Sequence, residues 1–453
     1  MTTEQVANFI ADTLYEQLPQ EAIGNAKRAI LDNIGVTLAC LREPSAQIIK
    51  EYVKELGGEP SASVICGDFK TSIPNAALAN GTMAHALEYD DYDLSKALHP
   101  SVSVLPAVLA LGETLKISGK EALLAYILGR EVESKLAGVI GSEHYKLGWH
   151  TTAIVGAVGA AAASAKILKL NKHQTKMALG IGASQSAGMK ANLGSFTKAF
   201  HAGNAARSGV VAAQLAQKGF TASDKIVEGE GGFLKILRGD GEHDTKTSLA
   251  NLDSCFDIVS PGVNIKCYPC CAFSYGAIDA VLILVEQHNI NPNEVAKVQC
   301  ELSSLIPQQV MVYSQPKTVA EAKLSLEYCL AVACLDREVS LRQFSQEKLG
   351  SRRIHEFMKK IEIIPVAGAA AITEAMDIPQ KATIILKSGN TYSHQVDIPK
   401  GDHRNPVSDE DLAGKYRDCA GLALSNERIE QSLRLLQKLE DLQKIAALVD
   451  ILR

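Results

Sequence analysis

Several side chains that can exchange protons lie in one short stretch of the sequence, residues 81–106. Four carboxylates and one histidine occur there between two apolar runs: Glu88, Asp90, Asp91, Asp93 and His99. Because Pro100 disfavours helical geometry at the residue before it, we expect His99 to lie on a turn. A carboxylate beside an imidazole at the end of a helical core is a candidate acid–base site. A solvated acidic loop with an incidental histidine explains the stretch equally well.

A second set of polar side chains recurs at intervals of three residues: Lys198, His201, Asn204 and Arg207. If this segment is helical, near neighbours in the set share a face of the helix. Such a face suits a multiply charged organic anion. An ordinary exposed basic helix is the alternative, but the flanking glycines and small residues favour a closely packed site.

Three further residues are candidates on weaker signals. His150 precedes a predicted helix rich in alanine and glycine, and helix N-termini attract anions, although a capping role is the plainer interpretation. Lys266 lies at a predicted domain boundary, where a lysine is well placed to bind a carboxylate; an ordinary surface lysine is the alternative. Tyr328 lies in an apolar helical pattern, so as a core residue it would need a hydrogen-bond partner for its hydroxyl.

Signatures of metal and nucleotide sites are missing. Cys267 and Cys270 form a C-x-x-C pair, but no second pair follows at a zinc or iron–sulfur spacing, so we predict no metal centre and no cofactor. Residues 229–232, GEGG, lack the G-K-[ST] of a P-loop. No G-x-S-x-G or H-E-x-x-H motif occurs. The classes that remain are acid–base chemistry on a small anion and a non-catalytic helical binding protein.

Composition favours a helical protein with an ample core. The 453 residues exceed the length of one ordinary core, so two domains are expected. Apolar residues make up 46% of the chain and aromatic residues only 5%, which favours close-packed helices over a β-sandwich. The net charge of −5 gives no support to binding of nucleic acid or of an anionic membrane.

The N-terminal sequence, the length of the apolar runs and the cysteine content predict a cytoplasmic location. The N-terminal segment, residues 1–18, is amphipathic and acidic and does not resemble a signal peptide. The longest run of small apolar residues, 153–165, is too short to cross a bilayer. Ten cysteines in so long a chain without an export signal indicate reduced thiols.

The pattern along the chain predicts a mainly α fold. Helical periodicity runs through the first part of the chain, with a glycine-bearing polar segment at 185–200 before a predicted helix at 203–218. Near Pro261 the pattern changes to a strand at 295–303 and a hairpin at 382–396. We therefore expect a large helical domain formed by residues 1–260 and 405–453, and a smaller α+β domain formed by residues 261–404.

The order of these motifs resembles the MmgE/PrpD family, whose members include 2-methylcitrate dehydratases, cis-aconitate decarboxylases and iminodisuccinate epimerases. The family segment H-x-L-[DE]-[FY]-[DN]-D is similar to residues 85–91, and its H-P-S is similar to residues 99–101. The segments K-x-x-H-x-G-N-A-A-R and I-K-x-Y-P-C-C are similar to residues 198–207 and 265–271. The resemblance implies a helical domain built from both chain ends, a smaller α+β lid and a homodimer. It also implies that neither a metal nor an iron–sulfur cluster is needed.

The resemblance also implies roles for individual residues. The catalytic candidates are Glu88, His99, His150, Lys198 and Tyr328. The substrate-binding candidates are Asp91, Tyr92, His201, Asn204, Arg207, Lys266 and Tyr275. Three of these differ from common family residues: Glu88 replaces Asp, Tyr92 replaces Thr and Tyr275 replaces His. The expected function is a cofactor-independent lyase acting on a small di- or tricarboxylate; an epimerase and a non-catalytic carboxylate-binding protein are the alternatives.

Overall fold

The computed structural model describes residues 2–238, 252 and 255–453. These residues are mainly α-helical with two small sheets, so the predicted fold class is confirmed. The helices of the first part of the chain are α1 (Thr3–Asp12), α2 (Gln20–Ala39), α3 (Pro44–Leu56), α4 (Ile73–His85), α5 (Ser101–Leu115), α6 (Gly119–Ile140), α7 (Glu143–Lys146), α8 (Thr151–Ile167), α9 (Lys172–Ser184), α10 (Phe196–Gln217) and α11 (Phe233–Arg238). No helix among the described residues combines the length and apolarity needed to cross a lipid bilayer.

The second part of the chain adds shorter helices and most of the strands. Its helices are α12 (Tyr275–Gln287), α13 (Leu305–Gln309), α14 (Val319–Ala322), α15 (Leu326–Asp336), α16 (Gln346–Leu349), α17 (Arg352–Met358), α18 (Asp409–Ala420), α19 (Asn426–Gln437) and α20 (Ala446–Leu452). The strands are β1 (Ala62–Ser63), β2 (Lys70–Thr71), β3 (Val295–Ser303), β4 (Ile361–Val366), β5 (Gln380–Leu386) and β6 (Thr391–Val396).

The chain packs as two compact units. One unit comprises Met1–Val263 with Ser408–Arg453, and the other comprises Asn264–Val407. The first contains α1–α11, α18–α20 and the short ribbon of β1 and β2; the second contains α12–α17 and the four-stranded sheet. The boundaries expected from the sequence and the lid role of the second unit stay predictions, because compact packing by itself does not establish independent folding or closure.

Close helix packing in the first unit depends on glycine. Helix α10 packs against α4 and α8, and α6 packs against α8. A Cβ added at Gly203 of α10 would lie 2.2 Å from the carbonyl oxygen of Leu78 in α4, and one added at Gly159 of α8 would lie 2.9 Å from that of Gly129 in α6. Only glycine lets these backbones approach so closely. Every residue of α8 from 151 to 165 is buried, as expected for a central helix.

Helix α10 starts earlier than the sequence pattern predicts. We expect a helix from residue 203, but α10 begins at Phe196, so Lys198 and His201 lie in its first two turns. The polar sequence before residue 203 hides the helical periodicity, because part of its buried face is made by His201 and by Ala199 and Ala202. The early start gives the polar residues of this segment a rigid helical position.

The sheet of the second unit has the strand order β4-β3-β5-β6. The predicted strand at 295–303 and the predicted hairpin are confirmed, since β3 pairs antiparallel with β5 and β5 pairs antiparallel with β6. Strand β4, parallel to β3, was not predicted from the sequence. Its Pro365 argues against a central strand, and an edge position accommodates a proline because one side of the strand needs no backbone donors.

Candidate active site

The acidic segment after α4 is buried, so the alternative of a solvated acidic loop is wrong. Asp90 and Asp91 are fully buried and Glu88 is 9% exposed. The backbone of Glu88 adopts φ +56°. This left-handed conformation costs a non-glycine residue about 1–2 kcal/mol. Backbone strain at a buried acid supports a functional role for the segment.

Asp90 lies between two histidines. Its two oxygens are each 3.1 Å from Nδ1 of His85, the last residue of α4, and its Oδ2 is 2.8 Å from Nδ1 of His99. The backbone N–H of His99 donates to Thr152 Oγ1 of α8 at 3.1 Å. The imidazole of His99 is therefore oriented from two sides, and its side chain keeps 15% exposure whereas those of His85 and Asp90 have none.

Burial and charge set the protonation of this group. Burial lowers the pKa of His85 to about 3 despite the nearby Asp90 carboxylate, so this imidazole is neutral at pH 7. Burial alone would raise the pKa of Asp90, but the imidazoles of His85 and His99 outweigh it and hold that pKa well below its usual range. Asp90 is therefore ionised; it accepts a hydrogen bond from Nδ1 of His85 and lies 2.8 Å from Nδ1 of His99.

Two further histidines extend the cluster. The rings of His85 and His150 stack with centroids 6.1 Å apart, and Nδ1 of His150 lies 3.2 Å from Nδ1 of His201. One of these two nitrogens must carry a hydrogen and the other must accept it, so the two rings are opposite tautomers. Burial holds the pKa of His150 well below its usual range and also lowers that of His201. We call His85, His99, His150 and His201 the histidine cluster; burial favours the neutral imidazole at His85, His150 and His201.

A buried histidine beside this cluster provides a test by pH. His144 Nε2 lies 2.7 Å from Thr151 Oγ1, and burial lowers its pKa to about 4. An unfolded histidine has a pKa of about 6.5, so the unfolded state binds more protons as pH falls from about 6.5 to about 4, and the folded state loses stability in that window. In His144→Gln we expect the free energy of unfolding to fall less between pH 7 and pH 5, by about 2 kcal/mol.

Urea titrations at several pH values measure this difference. The matched control is His173→Gln, since the side chain of His173 is 66% exposed. An identical pH dependence for His144→Gln and the wild-type protein would contradict the expected result.

Lys198 adds a positive charge next to the histidines. Its Nζ is paired with Oε1 of Glu88, and the two side chains are 11% and 12% exposed. The charge of Lys198 contributes to the lowered pKa of both His85 and His201, after burial in each case. A cation, a carboxylate and neutral imidazoles therefore share one region of the first unit.

A buried ion pair links the acidic segment to helix α6. Arg130 of α6 donates to Asp91 Oδ2 at 2.6 Å, and both residues are buried. The same guanidinium lies 3.4 Å from the hydroxyl of Tyr126, which is 2.6 Å from Ser101 Oγ at the start of α5. Asp91, predicted to bind substrate, thus has a structural partner that the sequence did not indicate.

The C-terminal part of the first unit also contacts the acidic segment. Lys415 of α18 donates to the carbonyl oxygen of Tyr89 at 2.8 Å and to Asp32 at 2.5 Å. Its ammonium lies 3.7 Å from the centre of the Tyr89 ring, a cation–π distance. Residues from both ends of the chain therefore fix the backbone that carries Glu88 and Asp90.

The remaining candidates of the first unit lie close in sequence to this cluster. Tyr92 follows Asp91 and is 2% exposed. Asn204 and Arg207 are half-buried, further along α10 than His201. Because a helix has 3.6 residues per turn, Arg207 lies about 180° around α10 from Lys198. Tyr92, Asn204 and Arg207 stay predictions as substrate-binding residues.

Three candidates belong to the second unit. Lys266 is 1% exposed. The buried hydroxyl of Tyr275 donates to the carbonyl oxygen of Tyr268, and that of Tyr328 donates to the carbonyl oxygen of Gln343 at 2.5 Å. Each of the two hydroxyls therefore has the hydrogen-bond partner that a buried tyrosine requires. The roles of all three residues in binding or catalysis stay predictions.

Sequence reasoning did not assign roles to three residues that organise the cluster: His85, Asp90 and Arg130. A signal existed for two of them, because the family-like segment 85–91 begins with His85 and contains Asp90. Arg130 lies in an apolar helical pattern far from that segment in sequence, and only the packing of α6 brings it to Asp91. Among the described residues, His85, Asp90 and His99 are also the group whose donor atoms could hold a metal ion.

Comparison with known proteins assigns the chain to a family. Residues 4–246 match the profile of the MmgE/PrpD N-terminal domain, and residues 268–441 match that of the MmgE/PrpD C-terminal domain. The chain belongs to the MmgE/PrpD family. The histidine cluster and Lys198 of this MmgE/PrpD chain lie in the part that matches the N-terminal domain, and Lys266 lies just before the C-terminal match.

Relatives of this MmgE/PrpD chain are similar over almost their whole length. The mouse protein called cis-aconitate decarboxylase is 28% identical over 462 residues, covering 100% of this chain and 93% of the relative. The human protein of that name is 28% identical, covering 100% and 94%. The Aspergillus terreus protein of that name is 27% identical, covering 99% and 95%. These relatives support an enzyme of the lyase class in general.

Proposed function

We propose that this MmgE/PrpD chain is a cofactor-independent lyase that acts on a small tricarboxylate, with cis-aconitate as the first substrate to test. The observation that carries the proposal is the buried His85–Asp90–His99 group beside the Lys198–Glu88 pair. Neutral imidazoles, an ionised acceptor and a cation are the parts that acid–base chemistry on a carboxylate requires. The names of the relatives support the same reaction class.

Lys198 is proposed to neutralise a substrate carboxylate. Its partner Glu88 is a single carboxylate on a strained backbone, so a substrate carboxylate would compete with it for the ammonium. Neutralising a carboxylate stabilises negative charge that develops on the neighbouring carbon. His201, one helical turn further along α10, would add a hydrogen-bond donor on the same side of the helix.

His99 is proposed to move the proton. Asp90 Oδ2 lies 2.8 Å from Nδ1 of His99, and we propose that its charge keeps a hydrogen on that nitrogen and leaves Nε2 to exchange a proton with the substrate. Among His85, Asp90 and His99, the side chain of His99 alone has exposed surface. His150 and Glu88 are the alternative proton carriers that the sequence indicates.

In decarboxylation, the bond between a carboxylate and the carbon next to the double bond breaks, and carbon dioxide leaves. The electron pair of that bond shifts into a new double bond, and the old double-bond pair moves to the far carbon. A second carboxylate stabilises that carbon until His99, protonated beforehand at Nε2 by water, donates that proton and completes the product. The same groups could also serve dehydration of a β-hydroxy acid or epimerisation. The relatives' names favour decarboxylation as the first choice.

Other parts of the proposal depend on the family resemblance. Tyr328 as a catalytic residue, and Lys266 and Tyr275 as substrate-binding residues, are proposed on their matching positions. A homodimer, a cytoplasmic location and the absence of nucleic-acid partners are proposed in the same way. Light scattering of the purified protein tests the dimer, which a monomer mass would contradict.

A substrate panel tests the function. Purified protein is incubated in deuterated water with cis-aconitate, 2-methylcitrate, citrate and iminodisuccinate, and proton NMR follows each compound. We expect loss of cis-aconitate and a product that carries one solvent-derived deuterium. Turnover of 2-methylcitrate or inversion of iminodisuccinate would replace decarboxylation by dehydration or epimerisation. Thermal stabilisation by a carboxylate without exchange or product would identify a non-catalytic binding protein.

Lys198→Ala links the activity to the site. Loss of a charge-assisted hydrogen bond of about 1.5–3 kcal/mol is expected to lower kcat/KM about tenfold to a hundredfold. The matched control is Lys172→Ala, whose side chain is 52% exposed and pairs with Asp12 at the surface. Equal kcat/KM for Lys198→Ala and the wild-type protein would remove Lys198 from the proposal.

A further inference from the structure

The donor atoms of His85, Asp90 and His99 converge on a small volume. The Nδ1 atom of His85 lies 3.1 Å from both oxygens of Asp90, and that of His99 lies 2.8 Å from Asp90 Oδ2. One donor atom from each residue lies within 4.8 Å of the other two. The rings of His85 and His99 are 4.6 Å apart between centroids, so both imidazoles flank the same carboxylate.

This spacing is close to that of a metal site. Zinc binds imidazole nitrogen and carboxylate oxygen at about 2.0–2.2 Å, so neighbouring ligands of a tetrahedral ion lie about 3.3 Å apart. Of the three donor separations, the two that involve Asp90, 2.8 Å and 3.1 Å, need to open by only a few tenths of an ångström, and the one between the two imidazoles is within 4.8 Å. Two imidazoles and one carboxylate are also the ligand types that suit zinc and related ions.

We propose that His85, Asp90 and His99 form a binding site for a divalent transition-metal ion, represented by Zn²⁺, and that the bound ion inhibits the enzyme. Inhibition rests on the proposed function, whereas binding does not. The ion would occupy Nδ1 of both imidazoles and move their hydrogens to Nε2. His99 could then no longer present a free nitrogen for proton exchange.

The ligand types, the exposure and the nearby charges of this group all bear on whether it can bind a cation. Metal ions bind neutral imidazole and ionised carboxylate, the two ligand types that His85, His99 and Asp90 supply. The side chain of His99 has 15% exposure, but its Nδ1 is buried, as are the side chains of His85 and Asp90. The positive charge of Lys198 opposes a second cation, but its pairing with Glu88 reduces that repulsion.

The competing interpretation is a group that binds protons only. In that case the hydrogen bond from His85 to Asp90 and the short distance from Asp90 to His99 serve only to orient the two imidazoles. Thiols are a second competitor for zinc, because the chain has ten cysteines and Cys255 is exposed. The test must therefore separate nitrogen and oxygen ligands from sulfur.

Zinc binding is measured without substrate, on protein freed of metal by a chelator and then dialysed at pH 7. Titration with ZnCl₂ against a competing chelating dye is expected to show one equivalent bound. Asp90→Asn and His85→Gln are each expected to weaken binding at least about a hundredfold, since each removes one of three ligands. His173→Gln is the matched control and should bind as the wild-type protein does. Circular dichroism confirms that each variant is folded.

Cobalt identifies the ligands. Co²⁺ in place of Zn²⁺ should give visible absorption without the charge-transfer band of a thiolate ligand. That band, no bound zinc, or equal affinity in the folded Asp90→Asn and His85→Gln variants would overturn the proposed site. If one of these two variants does not fold, the zinc affinity of the other, folded variant tests the proposed site.

The inhibitory effect is measured separately from binding. Added ZnCl₂ should abolish the activity of the wild-type protein on its confirmed substrate, and excess EDTA should restore it. Zinc bound at these three residues with activity unchanged would overturn the inhibition. If no substrate is turned over, the proposed function fails while the binding result still stands.

Discussion

Replacing His99 with glutamine is expected to lower kcat/KM for the confirmed substrate about 10²–10⁴-fold. The reason is its position: its Nδ1 lies 2.8 Å from Asp90, its backbone N–H donates to Thr152, and its side chain keeps 15% exposure. Glutamine retains polarity and approximate length but cannot carry a proton near neutral pH. Steady-state kinetics over a range of pH measure the effect, and deuterium incorporation into the product reports the proton transfer.

His173→Gln is the control for this prediction, because the same chemical change at an exposed position of α9 should leave kcat/KM as in the wild-type protein. The free energy of unfolding of both variants shows whether lost activity is lost folding. Full activity in a folded His99→Gln variant would remove His99 as the proton carrier and leave His150 or Glu88 to be tested.

Replacing Arg130 with methionine is expected to lower the free energy of unfolding by about 3–5 kcal/mol. Arg130 and Asp91 are both buried, and the guanidinium donates to Asp91 Oδ2 at 2.6 Å. Removing the cation leaves a carboxylate in the core without its counter-charge, and burial of an unpaired charge costs far more than loss of a surface pair. Urea or guanidinium titration at pH 7 measures the change.

Arg417→Met is the matched control, because Arg417 forms an exposed ion pair with Glu430 and its loss should leave the midpoint of unfolding nearly unchanged. The double variant Arg130→Met with Asp91→Asn should recover part of the lost stability, since the uncompensated charge is gone. A single Arg130→Met variant as stable as the wild-type protein would show that the pair does not stabilise the fold.

The sequence predicted many elements correctly because their signals are local. The alanine and glycine of α8 indicate a close-packed central helix, and the structure buries all its residues from 151 to 165. The alternation of β3 and the glycine turn between β5 and β6 are also local patterns. The start of α10 was missed because a histidine forms part of its buried face, where periodicity of apolar residues gives no signal.

For the candidate site, residue type and order in the chain were enough to select His99, His150 and Lys198 and to support membership of the MmgE/PrpD family. They were not enough to show how these residues are organised. The acidic segment was equally consistent with a solvated loop until its burial was known. Asp90, which contacts two histidines, received no role because one aspartate in an acidic run looks like its neighbours.

The amino-acid sequence by itself determined the family, the mainly helical class and the kinds of side chain available for chemistry. These follow from composition, periodicity and motif order, which are properties of neighbouring residues. Only the tertiary structure decided which side chains meet. Arg130 reaches Asp91 and Lys198 reaches Glu88 because helices distant in sequence pack at close range, whereas Asp90 meets His85 and His99 through the conformation of one short segment. Contacts of this kind depend on three-dimensional packing, and burial then sets the charge of each group.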